Sequence, residues 1–372
     1  MKRALLYNRY LHTAGGGERA CFDLGIALEE LGFAITVVTT TSYSGAIGDL
    51  HRIFGLNPRS DWQLERIDEE ADIFKFCKDS GFEIFVNSTM CSSMANPARF
   101  GIYMMMFPPE INNQERVRLL SYNLVLVISD FTALHLANRW GSGFSCRVLP
   151  PPISRAHTEY RPDFSKKERL ILLVGRFNVD GHSKCQLEAV RAFKELKRDR
   201  ILGEEWRFNL VGNLNLGVEN RLYLERCRLE GGDDVNIETN VSFSRLQELY
   251  ARSSCLWQFT GVNYRNGEHP QYCEHLGLVA LDSLCYGCVP IVYERSGVGY
   301  MLDHGRSGFV FANNSELADI MRFFNRDFGS NLHKQLFDGA VAASRRFSFE
   351  EFLGALRGYV LGVNGIDDNV AV

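Results

Sequence analysis

Short apolar runs alternate with helix-period segments twice along this chain, and that alternation limits the fold more than any other feature. Residues 4–7 read as a short buried strand, followed by the loop Thr13-Ala14-Gly15-Gly16-Gly17. Apolar residues then recur at Ala20, Leu24, Leu28 and Leu31, the period of a helix. Gly32 is a stop signal, and residues 34–38 form the next strand. Strand, loop, helix and strand in that order make the building block of a parallel sheet. Further strands are expected at 83–86, 100–105 and 124–128, the last running into Ser129-Asp130, which caps a helix reaching about Gly141. Leu149-Pro150-Pro151-Pro152 ends this series. A second one starts with the run 170–174 and continues with strands at 208–211, 235–237, 255–259 and 289–293. Helical patterns cover 186–198, 245–251 and, near the end of the chain, 349–360.

The chain has 372 residues, too many for a typical single core. The expected organisation is an N-terminal Rossmann-like domain over 1–153, a polar linker over 154–168, and a C-terminal Rossmann-like domain over 169–346. A helical tail over 347–372 follows. The class is α/β, with two Rossmann-like domains facing a cleft and ligands outside the carboxyl ends of the strands. Charged residues make up 23% of the chain and the net charge is −4, with no long basic block, so composition gives no support for nucleic-acid binding. The apolar run after Met1-Lys2-Arg3 is too short for a signal peptide and breaks at Asn8-Arg9. No segment approaches the roughly 20 apolar residues of a membrane span. A cytoplasmic protein is the resulting expectation. Ten cysteines stand at irregular spacings, which argues against a disulfide framework. Cys285-Tyr286-Gly287-Cys288 has neither a second pair nor nearby histidines in sequence, so no metal is expected there.

The segment 274–290 carries the densest chemistry. Glu274 precedes a turn at Gly277, a helix follows, and Asp282 stands on it. Backbone N–H groups of Leu276, Gly277 and Leu278 would lie at the helix start, where unpaired amides favour phosphate. Carboxylates accept hydroxyl hydrogens. If most of the segment is helical, the two acids are about 12 Å apart and flank a diphosphate rather than share a proton. An acid, a phosphate-binding turn and a second acid suit a sugar, a diphosphate and a ribose in series. Gly15-Gly16-Gly17-Glu18-Arg19 lies between a strand and a helix, where Gly16 and Gly17 let the backbone approach a phosphate closely. Glu18 reads as a helix N-terminal charge. Gly175-Arg176 and Gly181-His182-Ser183-Lys184 follow the first strand of the second series, and Arg176 and Lys184 together could clamp a diphosphate. His275 and His304 have no partner at metal or triad spacing, and no Asp-x-Asp occurs at an apolar strand end. The run Met104-Met105-Met106-Phe107-Pro108-Pro109 reads as a buried strand ending in prolines.

Taken in order, these motifs resemble the glycosyltransferases of family 4, retaining enzymes of the GT-B fold, nearly end to end. The resemblance rests on Gly15 to Arg19, on Ser129-Asp130-Phe131-Thr132, on Gly175-Arg176 to Lys184, on the glutamate-x7-acid motif from Glu274 to Asp282, and on Gly305 to Phe309. It implies transfer of a sugar from a nucleotide donor, such as GDP-mannose or a UDP-sugar, to a hydroxyl of a glycan or lipid-linked acceptor. Retention is implied, with no metal and no bound cofactor, the nucleotide-sugar being a co-substrate. Carried over, Glu274 would hold donor-sugar hydroxyls and Asp282 the ribose. Arg176 and Lys184 would stabilise the departing diphosphate, and Gly16 and Gly17 would approach the donor from the other domain. The tail would pack back on the first domain, and contact with the cytoplasmic membrane face is an open expectation. Two positions depart from the family pattern. Met106 stands where many relatives have histidine, and Asp282 where the second acid is usually glutamate. An epimerase of the same fold and a degenerate sugar-binding subunit stay open as alternatives. A dinucleotide dehydrogenase is disfavoured, because no G-x-G-x-x-G opens a helix.

Overall fold

The computed structural model describes residues 2–41, 45–179, 182–214, 216–264 and 268–362. The chain divides into two compact units, Met1–Ala156 with Phe347–Val372, and His157–Arg346. The first unit is built on a seven-stranded parallel sheet. Its strands are β1 (Lys2–Tyr7), β2 (Phe33–Thr39), β3 (Gln63–Arg66), β4 (Ile84–Asn87), β5 (Phe100–Met105), β6 (Leu124–Val127) and β7 (Cys146–Val148). They lie in the order β3-β2-β1-β4-β5-β6-β7. Leu5 pairs with Thr36 on one side and Phe85 on the other. Every residue of β4, β5 and β6 is buried, as parallel strands covered on both faces require. The edge strands β3 and β7 carry Gln63, Glu65, Arg66 and Arg147 on exposed positions, so no apolar run announced them.

Helix Gly16–Glu30 follows β1 and buries a face running from Ala20 to Leu28. Helix Phe349–Gly362 packs on it within the same unit, and Phe352, Leu356 and Val360 are buried. Ser129 caps helix Asp130–Trp140 by accepting a hydrogen bond from Thr132 N–H at 3.1 Å.

The second unit has a six-stranded parallel sheet of β8 (Glu168–Val174), β9 (Arg207–Gly212), β10 (Val235–Thr239), β11 (Ser253–Gln258), β12 (Val289–Tyr293) and β13 (Phe309–Phe311). The order is β10-β9-β8-β11-β12-β13. Its core is formed by alternate strand residues, among them Ile171, Leu173, Phe208, Leu210, Cys255, Trp257 and Ile291. The chain runs outward from β8 through β9 to β10, then returns to β11 on the other side. The switch in strand order therefore falls between β8 and β11, where ligands of such sheets bind at the carboxyl ends.

The polar stretch read as a linker contains a short helix, Arg155–Thr158, and a turn, Phe164–Lys166. Lys167 is buried, and its ammonium donates to Tyr250 O at 3.0 Å and Ser253 O at 2.8 Å. Paired carbonyls make burial of this charge tolerable, which sequence polarity alone does not reveal.

Candidate functional site

The carboxyl edge of the second sheet, at its switch point, gathers three segments: the loop after β8, the end of β11, and the residues around Glu274. Gly175 N–H donates to Val211 O at 2.8 Å, and Phe177 N–H to Asn213 O at 2.9 Å. The backbone thus stays pinned to β9 beyond the last strand residue. Buried Gln186 donates through its side-chain amide to Gly175 O at 3.1 Å and Arg176 O at 3.0 Å, fixing the loop from the other side. A side chain on Gly175 would put Cβ 2.4 Å from Lys184 Cγ. Glycine there lets the lysine stem cross the strand end.

The stem delivers Lys184 Nζ to 2.5 Å from Glu274 Oε2, and Thr260 Oγ1 donates to the same oxygen at 3.3 Å. Residues 274–277 are not helical. Glu274 lies in a parallel bridge with Ser296, and Gly297 N–H donates to Glu274 O at 2.7 Å. The helix begins only at Leu278 and ends at Leu284. A helical separation therefore does not describe the two acids, because the Ser296-Gly297 segment competes for the backbone of the first residues. A Cβ on Gly297 would fall 1.9 Å from His275 O, so this contact requires glycine. Gly277 has φ 96°, the left-handed region, and starts the helix. The first helical bonds come from Ala280 and Leu281 N–H to Gly277 O, so the amides of Leu278 and Val279 precede the ladder. Beneath this turn is the Gln258 carboxamide, also buried. Its Nε2 lies 2.7 Å from where a Cβ on Gly277 would stand.

Glu274 and Lys184 are 13% and 23% exposed. Burial pushes the Glu274 carboxyl up, but the charge of Lys184 and the hydrogen bond it donates outweigh that. With smaller help from His182 and His275, they hold it below the ordinary carboxylate range. His275 is pushed down to about 3 by burial and by His182, and its Nε2 lies 3.2 Å from Gln271 O. The site thus holds an ionised acid, a cation bound to it and a neutral imidazole. Arg176 is exposed at the loop surface. Gly181 lies outside the described residues.

Of the residues predicted from sequence, Lys184 and Glu274 are in direct contact, and Leu276, Gly277 and Leu278 form the adjoining turn. Asp282 stands on helix Leu278–Leu284. It is 6% exposed, and its Oδ2 lies 3.5 Å from His157 Nε2. His157 Nδ1 is 2.8 Å from Tyr286 Oη, which also accepts from Gln247 Nε2 at 2.9 Å. Gly16 and Gly17 belong to the first unit. They open helix Gly16–Glu30, with Glu18 Oε2 accepting from Gly15 N–H at 2.8 Å. A Cβ on Gly17 would be 3.8 Å from Met106 Cγ, so the methionine after β5 borders the glycine loop. Sequence reasoning missed Gln186, Thr260, Gln258 and His157. None sits in a motif, and each matters through a long-range contact. Among the described residues no group of three or more His, Cys, Asp and Glu is placed to hold a metal ion. No described helix is long and apolar enough to cross a membrane.

The family described as glycosyl transferases group 1 matches residues 157–334. No curated protein sequence matches the chain. Among solved structures, a glycosyltransferase from Rickettsia africae is similar with TM-score 0.74 and 14% identity, over 98% of this chain and 100% of that one. Anabaena HepE in complex with UDP is similar with TM-score 0.74 and 16% identity, over 97% and 100%. Sucrose-phosphate synthase from Thermosynechococcus elongatus is similar with TM-score 0.70 and 14% identity, over 98% and 100%. These likenesses cover both units and identify the fold as the two-domain GT-B architecture expected from the sequence.

Proposed function

We propose that this chain, a glycosyltransferase whose second unit is a glycosyl transferases group 1 domain, moves a sugar from a nucleoside-diphosphate donor to a hydroxyl acceptor. We further propose that it does so with retention and without a metal ion. The observation that carries the donor reading is the Lys184–Glu274 pair at the switch point of the second sheet. An acid kept ionised in a half-buried site is an acceptor for sugar hydroxyls. The lysine beside it, and Arg176 on the same loop, supply positive charge for a diphosphate. The Leu278 and Val279 amides add backbone donors at the turn. The likeness to HepE, whose structure holds UDP, favours a nucleoside diphosphate as the common part of the donor.

During transfer the bond from the sugar C1 to the β-phosphate oxygen breaks while a bond from C1 to the acceptor oxygen forms. The acceptor proton goes to the departing phosphate. Lys184 and Arg176 meet the charge that develops on that oxygen, and Glu274 orients the ring through its hydroxyls. Asp282, whose Oδ2 lies 3.5 Å from His157 Nε2, accepts from the ribose hydroxyls in this reading, a carboxylate having two oxygens to share between partners. Retention, a glycan or lipid-linked acceptor and work at the cytoplasmic membrane face are parts of the proposal that rest on the sequence resemblance.

Transfer from UDP-glucose or GDP-mannose to an alcohol acceptor, followed by NMR of the product, tests the reading. The anomeric configuration of the donor should be kept and turnover should survive EDTA. Arg176→Ala and Lys184→Ala should each lower turnover by about a hundredfold. Inverted product, abolition by chelator with rescue by manganese, or near-wild-type kinetics in both variants would contradict it.

A further inference from the structure

His182 is the one residue of the Arg176–Lys184 loop whose conformation is itself unfavourable among the described residues of that loop. Its φ is 61°, in the left-handed region that side chains other than glycine rarely adopt. Cys185, which opens helix Gln186–Arg198, has φ 52°. Backbone strain of this kind persists where surrounding structure enforces it, and it clusters at ligand sites. The His182 ring stands edge-to-face on buried His275 at 4.4 Å, with an interplanar angle of 86°. His182 itself is only partly buried, and its ring makes no hydrogen bond to another described residue. Among the described residues, the charged and titratable groups that act on it are Glu274, Lys184, Arg176 and the neutral His275. An imidazole in a left-handed backbone conformation, partly open to solvent and close enough to two cations and an acid to feel their charge, is placed for a ligand.

We propose that His182 is a further donor-binding residue, whose imidazole hydrogen-bonds a phosphate oxygen of the nucleoside-diphosphate donor between Arg176 and Lys184. This rests on the donor site described above. A phosphate is favoured over a sugar hydroxyl because the flanking residues of the same loop are cations, whereas the acid that suits hydroxyls is already held by Lys184. Burial pushes the imidazole down, Glu274 pulls it up, and Lys184 and Arg176 push it down further. It is therefore neutral near neutral pH. A bound diphosphate reverses the local charge and favours the imidazolium. Donor binding then takes up a proton from solvent, and affinity rises as pH falls toward the ordinary histidine range.

Calorimetry with UDP-glucose and GDP-mannose in buffers of different ionisation enthalpy tests this directly. The phosphodiester groups of these donors do not titrate between about pH 5.5 and 8, so net proton uptake reports on the protein. The wild type should take up a substantial fraction of one proton with the donor it binds. His182→Asn keeps a residue that tolerates the left-handed conformation and should melt close to the wild type. It should bind about tenfold to a hundredfold more weakly with no proton uptake. His182→Gly, which relieves the strain, should lose affinity in the same way. Unchanged affinity in both variants overturns the proposal, as does proton uptake that persists in His182→Asn. Weaker binding by the variants with no proton uptake by the wild type also overturns it, in favour of a hydroxyl contact. If the wild type binds neither donor, the donor-site reading fails and this one with it.

Discussion

At the scale of single residues, the site depends on an absence as much as on its charges. Gly175 is where Lys184 crosses the strand end, and a methyl there would stand 2.4 Å from the lysine Cγ. Gly175→Ala should cost about 1–3 kcal/mol of stability by overpacking. It should also swing Lys184 away from Glu274, leaving the acid buried without its counter-charge. Turnover should then fall by at least about tenfold, with donor KM raised. Denaturant melts together with steady-state kinetics check both effects, and an alanine variant with native kinetics would remove the close approach from the account. The contact of Lys184 with Glu274 joins two residues that the sequence singled out, each in a short motif within three positions of a glycine. Gln186, which clamps the carbonyls of Gly175 and Arg176, and Thr260, which donates to Glu274, were not legible there. Their partners are fixed by tertiary folding, and nothing in their neighbours' spacing announces them. Asp282 keeps the spacing from Glu274 that the motif requires, and its contact with His157 was not legible because that partner lies far off in the chain.

Among the elements, strands with unbroken apolar runs were read with boundaries close to those observed, and β5 and β12 coincide with the runs that announced them. Buried parallel strands carry a strong signal because both faces are covered. The short edges β3, β7 and β13 carry little, since pairing along one side suffices to hold them. The turn before helix Leu278–Leu284 was legible, but the helical separation of the two acids, conditional on most of the segment being helical, fails for a similar reason. The bridge of Glu274 to Ser296 is a pairing made across the fold. Helix Asn331–Ser344 carries a test of a different kind. Its His333 is buried among Phe164, Phe324 and Phe328 and accepts from Gly329 N–H at 3.1 Å. Burial, with Lys167 and Arg169 adding to it, pushes the imidazole down to about 4. Because the folded state depresses this group, its unfolded form binds more protons between pH 6.5 and about 4. The neutral-histidine stability is complete above pH 6.5 and is lost as pH falls through that window, by about 1.4 kcal/mol per pH unit for one group. His333→Gln should flatten the pH dependence of unfolding there by roughly one proton. An unaltered slope would place the acid sensitivity elsewhere.

Across the whole molecule, each unit builds its own sheet, but the first needs the end of the chain. Phe352, Leu356 and Val360 are buried in that unit, on a helix that packs against Gly16–Glu30. Truncation after Phe347 should lower the melting transition of the first unit while leaving the second nearly unchanged, because large-to-nothing deletions of buried apolar side chains cost several kcal/mol. Calorimetric melts of full and truncated chains resolve the two, and equal destabilisation of both units would count against the division described.

If the Lys184–Glu274 site holds the donor sugar of a nucleotide donor, saturation-transfer NMR will detect the sugar there. UDP-glucose and GDP-mannose would be presented in turn to the wild type and to Glu274→Gln. At least one should receive transfer over both its hexose and its nucleoside in the wild type. In Glu274→Gln the hexose signals should weaken while the nucleoside signals persist. No transfer to either donor, or an identical pattern with and without the Glu274 carboxylate, would contradict the account.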